Sequence, residues 1–333
     1  MRKIYVKIGL LGALLVLSSC NSSKDTSGDK VIISENKTAY NLPAVEVSET
    51  SVREKMEYLA SDELKGRETG TEGIEKAASY IEDFFRENNI EPYFKDYRDR
   101  FQVKGKTGFN IVGVLEGNDP QLKDEFIILG AHYDHVGIQD PIGNDSIANG
   151  ANDNAAGTVA VMELANALAE TGGNKRSIIF ALFSAEELGL EGAKHLAKKL
   201  KSEGIDIYSM VNFEMIGIPM EGKDFQAYIT GYERSNLAEK FNEYAGSKVL
   251  GFLPQAKKYN LFQRSDNYPF FQEFQIPAQT ISSFDFTNYE YYHHVSDEAE
   301  NMNYAFMADL IENVIPAIKT MANTSEKEIK LNP

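Results

Sequence analysis

Five acidic or histidine residues, spread over more than half of the chain, each lie where a hydrophobic run ends. They supply two imidazoles and three carboxylates, the nitrogen and oxygen ligands that zinc accepts. A sixth acid, Glu186, stands directly beside one of them and is free to act as a general base. The chain therefore carries the residues of a two-metal hydrolase. The five candidate ligands are His132, Asp153, Glu187, Glu214 and His293.

The elements that must position these residues alternate between continuous apolar runs and helical patterns. Alternation of this kind predicts an α/β fold with a mostly parallel sheet. In such sheets, sites form at the carboxyl ends of the strands, and three of the apolar runs end at His132, at Glu186 and Glu187, and at Glu214. The predicted strands are 109–115, 126–129, 177–183, 208–216, 225–230 and 278–282, and the predicted helices are 72–88, 154–170, 186–200 and 304–322.

Three of the acids also have a purely structural interpretation. Asp153 precedes a predicted helix and is a common residue type at a helix N-cap. Glu186 and Glu187 begin another predicted helix, where the helix dipole favours acids in the first turn. Each interpretation is sufficient for one residue taken alone.

The remaining candidates are harder to explain structurally. Glu214 lies inside the apolar stretch VNFEMIG, and a buried carboxylate needs a partner. His132 has the alternative role of a hydrogen-bonded core histidine, while His293 and His294 have that of surface residues in a loop. However, four of the five histidines of the chain fall in two clusters, GAHYDH and YYHH. The combined placement of these histidines and acids favours a functional site over a set of unrelated structural roles.

The ordered motifs of the chain resemble those of the zinc exopeptidase family that includes bacterial leucyl aminopeptidases and glutaminyl cyclases. The resemblance covers roughly residues 55–320 and implies a single peptidase domain over residues 48–333. It also implies a three-layer α/β/α fold with a central, mostly parallel mixed sheet, the zinc exopeptidase (phosphorylase/hydrolase-like) fold. The motifs that carry it are LASDELKGRETGTEG, GAHYDHVG, GANDNAAG, FSAEELGLEGA, VNFEMIG, RSDNYPF and YHHVSD.

The resemblance implies two zinc ions per chain, bridged by Asp153 and by a water or hydroxide. His132 and Glu214 would complete the ligands of one ion, and Glu187 and His293 those of the other. His293 is preferred to His294 because the family's histidine stands four residues before an aspartate, here Asp297.

The same resemblance gives two further residues a role. Asp134 would accept the second ring N–H of His132 and fix the orientation of that ring. Glu186 would take the proton of the attacking water and pass it to the departing amine. That double role requires a pKa above that of a free glutamate, which partial burial would supply.

The chain departs from the common family pattern at two positions. Many relatives carry Asp where this chain has Glu214, and a related carboxypeptidase family usually carries Glu there. Asn267 stands where relatives often have His, in a loop that we expect to border the substrate. The candidate substrate or oxyanion contacts are Arg264, Asn267, Tyr268 and Tyr292.

The preferred function is therefore an aminopeptidase that acts on peptide substrates, and three alternatives remain open. One is a carboxypeptidase or dipeptidase of the same fold. Another is a glutaminyl cyclase with a single zinc, although that family's pocket relies on tryptophan and this chain contains none. The third is a binding lipoprotein built on an inactive peptidase fold. The oligomeric state is not fixed by the sequence.

Composition and the first residues indicate where the protein acts. The chain has 50 acidic and 34 basic side chains, and its formal net charge of −16 argues against nucleic acid as a partner. Residues 1–20 combine a basic start, a ten-residue apolar run and Cys20, the only cysteine, which resembles a bacterial lipoprotein signal. We expect a lipid on Cys20, a flexible tether over residues 21–47, and an exported protein anchored in the cell envelope as a periplasmic or outer-membrane lipoprotein.

Overall fold

A nine-stranded mixed sheet lies at the centre of residues 46–333, the part of the chain that the computed structural model describes. The predicted signal peptide and nearly all of the predicted tether fall outside these residues. The sheet order is β1-β3-β7-β4-β8-β11-β9-β10, with β2 also paired to β3, and β5 and β6 form a separate hairpin. The strands are β1 (Glu91–Pro92), β2 (Arg98–Val103), β3 (Lys106–Leu115), β4 (Glu125–His132), β5 (Gly137–Ile142), β6 (Asp145–Ala148), β7 (Ser177–Phe183), β8 (Asp206–Phe213), β9 (Ala227–Ile229), β10 (Leu250–Gly251) and β11 (Ala278–Ser282).

The four central strands β7, β4, β8 and β11 are parallel to one another, and the antiparallel pairings lie toward the edges. The predicted mixed sheet is therefore confirmed. Its parallel part is confined to the central strands and to the β9–β10 pair. The carboxyl ends of the four central strands point to the same edge of the sheet.

Helices cover both faces of the sheet, so the architecture has three layers. Alternate residues of the central strands enter two separate apolar cores: Ile127 and Leu129 of β4 face one core, and Ile128 faces the other. Helices α1, α2, α3, α5 and α8 pack into the first core, and α4 and α7 pack into the second. The helices are α1 (Glu49–Leu59), α2 (Glu72–Glu87), α3 (Ala156–Thr171), α4 (Glu191–Ser202), α5 (Leu237–Ala245), α6 (Pro254–Lys258), α7 (Asn267–Phe274) and α8 (Tyr304–Asn323).

Two predicted helix starts are wrong, and both errors fall at the edge of the sheet that carries the candidate ligands. Helix α4 begins at Glu191, because residues 186–190 form a turn after β7. Helix α3 begins at Ala156, because residues Ala151–Ala155 form a wider π-type turn. Asp153 is therefore not an N-cap, and Glu186 and Glu187 are not in a first helical turn. None of the helices in residues 46–333 combines the length and apolar character needed to cross a bilayer.

Candidate metal centre and active site

Asp153 lies at the centre of a cluster of imidazoles and carboxylates and is only 3% exposed. Its Oδ1 lies 3.3 Å from Nε2 of His132, and its Oδ2 lies 3.2 Å from Nε2 of His293. Burial alone would raise the pKa of Asp153, but the neighbouring imidazoles hold this pKa well below its usual range. One carboxylate thus faces a different imidazole through each of its oxygens.

Glu187 shares His293 with Asp153 and also contacts a residue that the sequence did not single out. Its Oε2 lies 3.2 Å from Nε2 of His293, and its Oε1 lies 3.0 Å from Nδ1 of His135. His135 is fully buried, and its Nδ1 lies 3.9 Å from Oδ2 of Asp153. Among residues 46–333, these four side chains form a group with the geometry of a metal site. His135 was detectable only as the second imidazole of GAHYDH.

Glu214 follows β8 directly and lies in the wall of a cavity beside this cluster. The hydroxyl of Ser265 donates a hydrogen bond to its Oε2. Burial raises the pKa of Glu214 to about 7, and the charge of Asp153 contributes in the same direction. Glu214 is therefore a buried carboxyl group in the electrostatic field of Asp153, as the apolar run around it predicted.

The predicted contact between His132 and the Asp134 carboxylate is wrong in detail. Nδ1 of His132 lies 3.1 Å from the backbone oxygen of Asp134, whereas the carboxylate Oδ1 is 3.8 Å away. An Nδ1–H that donates to this carbonyl leaves the lone pair of Nε2 directed at Asp153. The Asp134 carboxylate instead accepts from the Thr69 hydroxyl at 3.1 Å and from the backbone N–H of Glu186 at 3.2 Å. Asp134 therefore positions the turn that carries Glu186.

Glu186 lies beside the cluster, and no described group donates a hydrogen bond to its carboxylate. Burial raises the pKa of Glu186 well above its usual range, and the nearby acids Glu214, Asp266 and Glu187 raise it further. A carboxyl group with a raised pKa can both accept and release a proton near neutral pH. Its environment is therefore that of a general acid–base residue.

The turn that holds Asp153 is tied to two other loops of the site. Both oxygens of Asp297 accept hydrogen bonds from this turn, from the backbone N–H of Asn152 at 2.8 Å and from that of Asp153 at 3.0 Å. The side chain of Asn154 accepts from the backbone N–H of Met215 at 3.1 Å and donates to the carbonyl of Phe213 at 2.9 Å. The loops that carry His293 and Glu214 are therefore both anchored to the turn that carries Asp153.

Arg67 lies buried under the site and is 1% exposed. It donates to the carbonyl oxygens of Tyr133 at 2.8 Å, Asn149 at 2.6 Å and Gly150 at 2.9 Å, and also to that of Leu59. Burial lowers the pKa of Arg67 to about 10, so the side chain is charged at neutral pH. Arg67 joins the backbone segments that precede and follow the β5–β6 hairpin, which lies between His135 and Asp153.

The donor set of the cluster fits a divalent metal. Nε2 of His132 and Nε2 of His135 are buried and have no hydrogen-bond partner among the described residues, and the same holds for both carboxylate oxygens of Asp266. Several buried carboxyl groups therefore lie close together, and the buried cation described near them is Arg67. Such an excess of negative charge is costly to bury unless further cations compensate for it. Imidazole nitrogen and carboxylate oxygen are the ligand types that zinc selects.

The amino-acid sequence agrees with this geometry when it is compared with known families. Residues 110–318 match the family described as Peptidase family M28. The chain belongs to peptidase family M28. Leupeptin-inactivating enzyme 1 of Streptomyces exfoliatus is 32% identical over 173 residues, which cover 51% of this chain and 35% of that protein. The chain thus spans about a third of the length of this curated relative.

Solved structures support the fold assignment. The zinc aminopeptidase BSAP from Bacillus subtilis superposes with a TM-score of 0.65 at 16% identity, covering 84% of this chain and 96% of that one. The glutaminyl cyclase of Fimbriiglobus ruber gives a TM-score of 0.66 at 18% identity, covering 84% of this chain and 97% of that one. At these identities the likeness shows the fold alone, and it confirms the three-layer α/β/α prediction.

In this M28 chain, two of the four predicted substrate contacts line the cavity beside Glu214 and two do not. Arg264 and Tyr292 are exposed and form part of its wall. Asn267 is fully buried, donates to the carbonyls of Phe262 and Ala278, and accepts from a threonine hydroxyl, so its prediction as a substrate contact is wrong. Tyr268 packs edge-on against the ring of Phe262 and does not line the cavity either.

Three residues at this M28 site have a left-handed backbone conformation that side chains other than glycine rarely adopt. Ala185, with φ 60°, precedes Glu186, and Met215, with φ 51°, follows Glu214. His293 itself has φ 54°. Conformations of this kind are unfavourable and persist where the surrounding contacts impose them, often at functional sites.

Proposed function

We propose that this M28 chain is a zinc-dependent aminopeptidase that hydrolyses the first peptide bond of its substrates. The observation that carries the proposal is the position of Asp153, whose two oxygens face His132 on one side and His293 on the other. A carboxylate whose two oxygens face different imidazoles can serve as a ligand shared by a pair of metal ions. The unpartnered Nε2 atom of His132 is an additional support.

The proposed ligands form two groups that share Asp153. His132 and Glu214 complete the first group, and Glu187 and His293 complete the second. His135 donates from Nδ1 to Oε1 of Glu187, which leaves Oε2 beside His293. We assign His135 to the orientation of Glu187, because an outer partner of this kind fixes a ligating carboxylate.

Bound zinc would supply Lewis-acid polarisation of the scissile carbonyl and would acidify the attacking water. Glu186 then takes the proton of that water and delivers it to the leaving amine, which its raised pKa favours. Asp134 and the left-handed turn at Ala185 hold Glu186 in place through its backbone. The acidic surroundings favour the binding of a free α-amine.

The test uses a panel of Leu-containing peptides with free or acetylated amino ends, together with metal analysis of the purified protein. We expect chelation to abolish cleavage, added zinc to restore it, and about two zinc ions per chain at saturation. Acetylation of the amino end should abolish cleavage. A protein that binds no zinc, or that remains inactive on every free peptide when zinc is bound, would contradict the proposal.

The same panel separates the alternatives. Cleavage that persists on acetylated peptides and is lost on carboxyl-amidated ones would identify a carboxypeptidase or dipeptidase. Formation of pyroglutamate from Gln-peptides with one zinc per chain would identify a glutaminyl cyclase. Each outcome replaces the aminopeptidase proposal.

We further propose that the protein acts in the cell envelope as a lipoprotein anchored through Cys20. The support is the basic and apolar leader that precedes this cysteine. A Cys20→Ser variant should lose incorporation of labelled fatty acid and should leave the membrane fraction. A Cys20→Ser variant that fractionates like the wild type would contradict the anchor.

A further inference from the structure

The cavity beside Glu214 has a volume of about 110 Å³, and most polar groups in its wall already have partners. The hydroxyl of Tyr228 donates to the carbonyl of Phe284 at 2.9 Å, and that of Thr280 donates to the side chain of Asn267 at 2.8 Å. Apolar surface is provided by the rings of Phe284 and Phe286, which lie 4.6 Å apart. The wall therefore has an aromatic side and few groups left to bind a polar ligand.

Arg264 is the cation in this wall, and it has no partner among the described residues. Its side chain is exposed, donates no hydrogen bond to any described residue, and has neither an acidic partner nor an aromatic ring beneath it. Every other arginine in residues 46–333 has at least one such partner. These other arginines are Arg53, Arg67, Arg86, Arg98, Arg100, Arg176 and Arg234.

The chain segment that carries Arg264 has a charge opposite to that of the whole protein. Residues 254–264 contain Lys257, Lys258 and Arg264 and no acid, in a chain of net charge −16. Lys257 pairs with Glu233 at 2.8 Å, whereas Lys258 has no carboxylate partner among the described residues. Charges separated by more than about 8–10 Å are largely screened at physiological ionic strength, so the net charge of the whole chain does not by itself set the potential at Arg264.

We propose that Arg264 binds a carboxylate of the substrate residue that occupies this cavity. The inference rests on the proposed function and gives it a substrate class: short or acidic peptides. A guanidinium presents paired N–H donors that match a carboxylate in a bidentate geometry, and Arg264 has all of its donors available. The apolar part of the same substrate residue packs against Phe284 and Phe286.

Two kinds of peptide offer this chemistry. One is a peptide with an N-terminal Asp or Glu, whose side chain reaches the guanidinium. The other is a dipeptide, whose terminal carboxylate lies close to the scissile bond. Four peptides distinguish them on the zinc-loaded protein: Glu-Ala-amide against Gln-Ala-amide for the side chain, and Leu-Ala against Leu-Ala-amide for the terminus.

We expect the carboxylate member of at least one pair to be preferred by about 10- to 100-fold in kcat/KM, mostly through a lower KM. A preference of this size corresponds to one or two charge-assisted hydrogen bonds. In an Arg264→Gln variant that preference should fall to within about twofold. Arg264→Lys, which keeps the charge but not the paired donors, should retain part of it. Lys258→Gln removes a neighbouring charge that does not line the cavity, and it should leave the preference unchanged.

Two results would overturn the inference while leaving the peptidase intact. One is a wild-type protein that cleaves both members of each pair equally. The other is a Lys258→Gln variant that loses the preference as fully as Arg264→Gln does, because the general field would then be responsible. If no peptide is cleaved, calorimetry with the same four peptides measures their binding affinities and tests the inference directly. If the protein binds the carboxylate member of a pair more tightly and this preference depends on Arg264, the inference is supported and only the proposed hydrolase activity is contradicted. Equal binding of both members would contradict both proposals.

Discussion

Replacement of Arg67 by methionine tests whether the site depends on a buried cation that contacts none of the proposed ligands. The variant keeps the length of the side chain and removes its charge and its donors. Four backbone carbonyls accept from the guanidinium, those of Leu59, Tyr133, Asn149 and Gly150. Within residues 46–333, only the Gly150 carbonyl has another donor, the backbone N–H of Ala155 at 3.1 Å.

The expected loss follows from the groups that remain without a partner. Each of the other three carbonyls left unsatisfied in the interior costs about 1–3 kcal/mol, and removing one member of a buried charged network costs about 3–5 kcal/mol. Against this, the variant avoids the cost of burying the guanidinium, which is visible in the lowered pKa of Arg67. We therefore expect the free energy of unfolding to fall by about 3–5 kcal/mol.

Urea unfolding of the chelated protein, followed by circular dichroism, measures this change. With a denaturant dependence of about 3 kcal/mol per molar urea, the midpoint should fall by about 1–1.7 M. Arg67→Lys should show an intermediate loss, because one ammonium group cannot reach four separated carbonyls. Arg100→Met removes an exposed arginine paired with Asp96 and should stay within about 0.5 kcal/mol of the wild type. A loss below about 1 kcal/mol for Arg67→Met would refute the reasoning.

Three further predictions address catalysis, pH and packing. Glu186→Gln should lower kcat by about 10²–10⁴-fold with unchanged zinc content, and near-normal turnover by this variant would remove Glu186 as the base. Burial, with nearby Asp62, raises the pKa of Glu298 to about 7. The stability that its protonated form contributes is therefore fully present below about pH 4.5 and is lost as the pH rises through 7. Glu298→Gln should therefore raise the urea midpoint at pH 8 but not at pH 4, and an equal change at both pH values would contradict this. A Cβ atom at Gly157 would lie 2.2 Å from the carbonyl oxygen of Phe213, so Gly157→Ala should cost about 2–4 kcal/mol, and an unchanged melting temperature would show that α3 can shift freely.

The sequence predicted the central strands well because burial on both faces produces unbroken apolar runs. Strands β7 and β11 have the predicted bounds, and every residue of both is buried. The hairpin of β5 and β6 was missed because most of its residues are exposed, so it has neither an apolar run nor a clear alternation. Helices α5, α6 and α7 were missed for a related reason, since they are short and only partly buried.

The candidate site was predictable where a residue follows a buried strand and not where it acts through the backbone. His132 ends such a strand, and Glu186, Glu187 and Glu214 follow such strands, so their convergence follows from the topology. Arg67 lies in a short irregular segment with positive φ, and no local pattern distinguishes it from a surface arginine. The hydrogen bonds that hold the turn around Asp153 join segments about 60 and 145 residues apart, which spacing along the chain does not reveal.

The hydrogen bonds that Asp297 accepts from the turn around Asp153 have a consequence for how the chain folds during synthesis. The two partners are separated by 144 residues. During synthesis, the turn around Asp153 leaves the ribosome well before the loop that carries Asp297. The nascent chain therefore cannot complete the turn around Asp153 until the segment that carries Asp297 has been synthesised, so the geometry of the site forms late in folding.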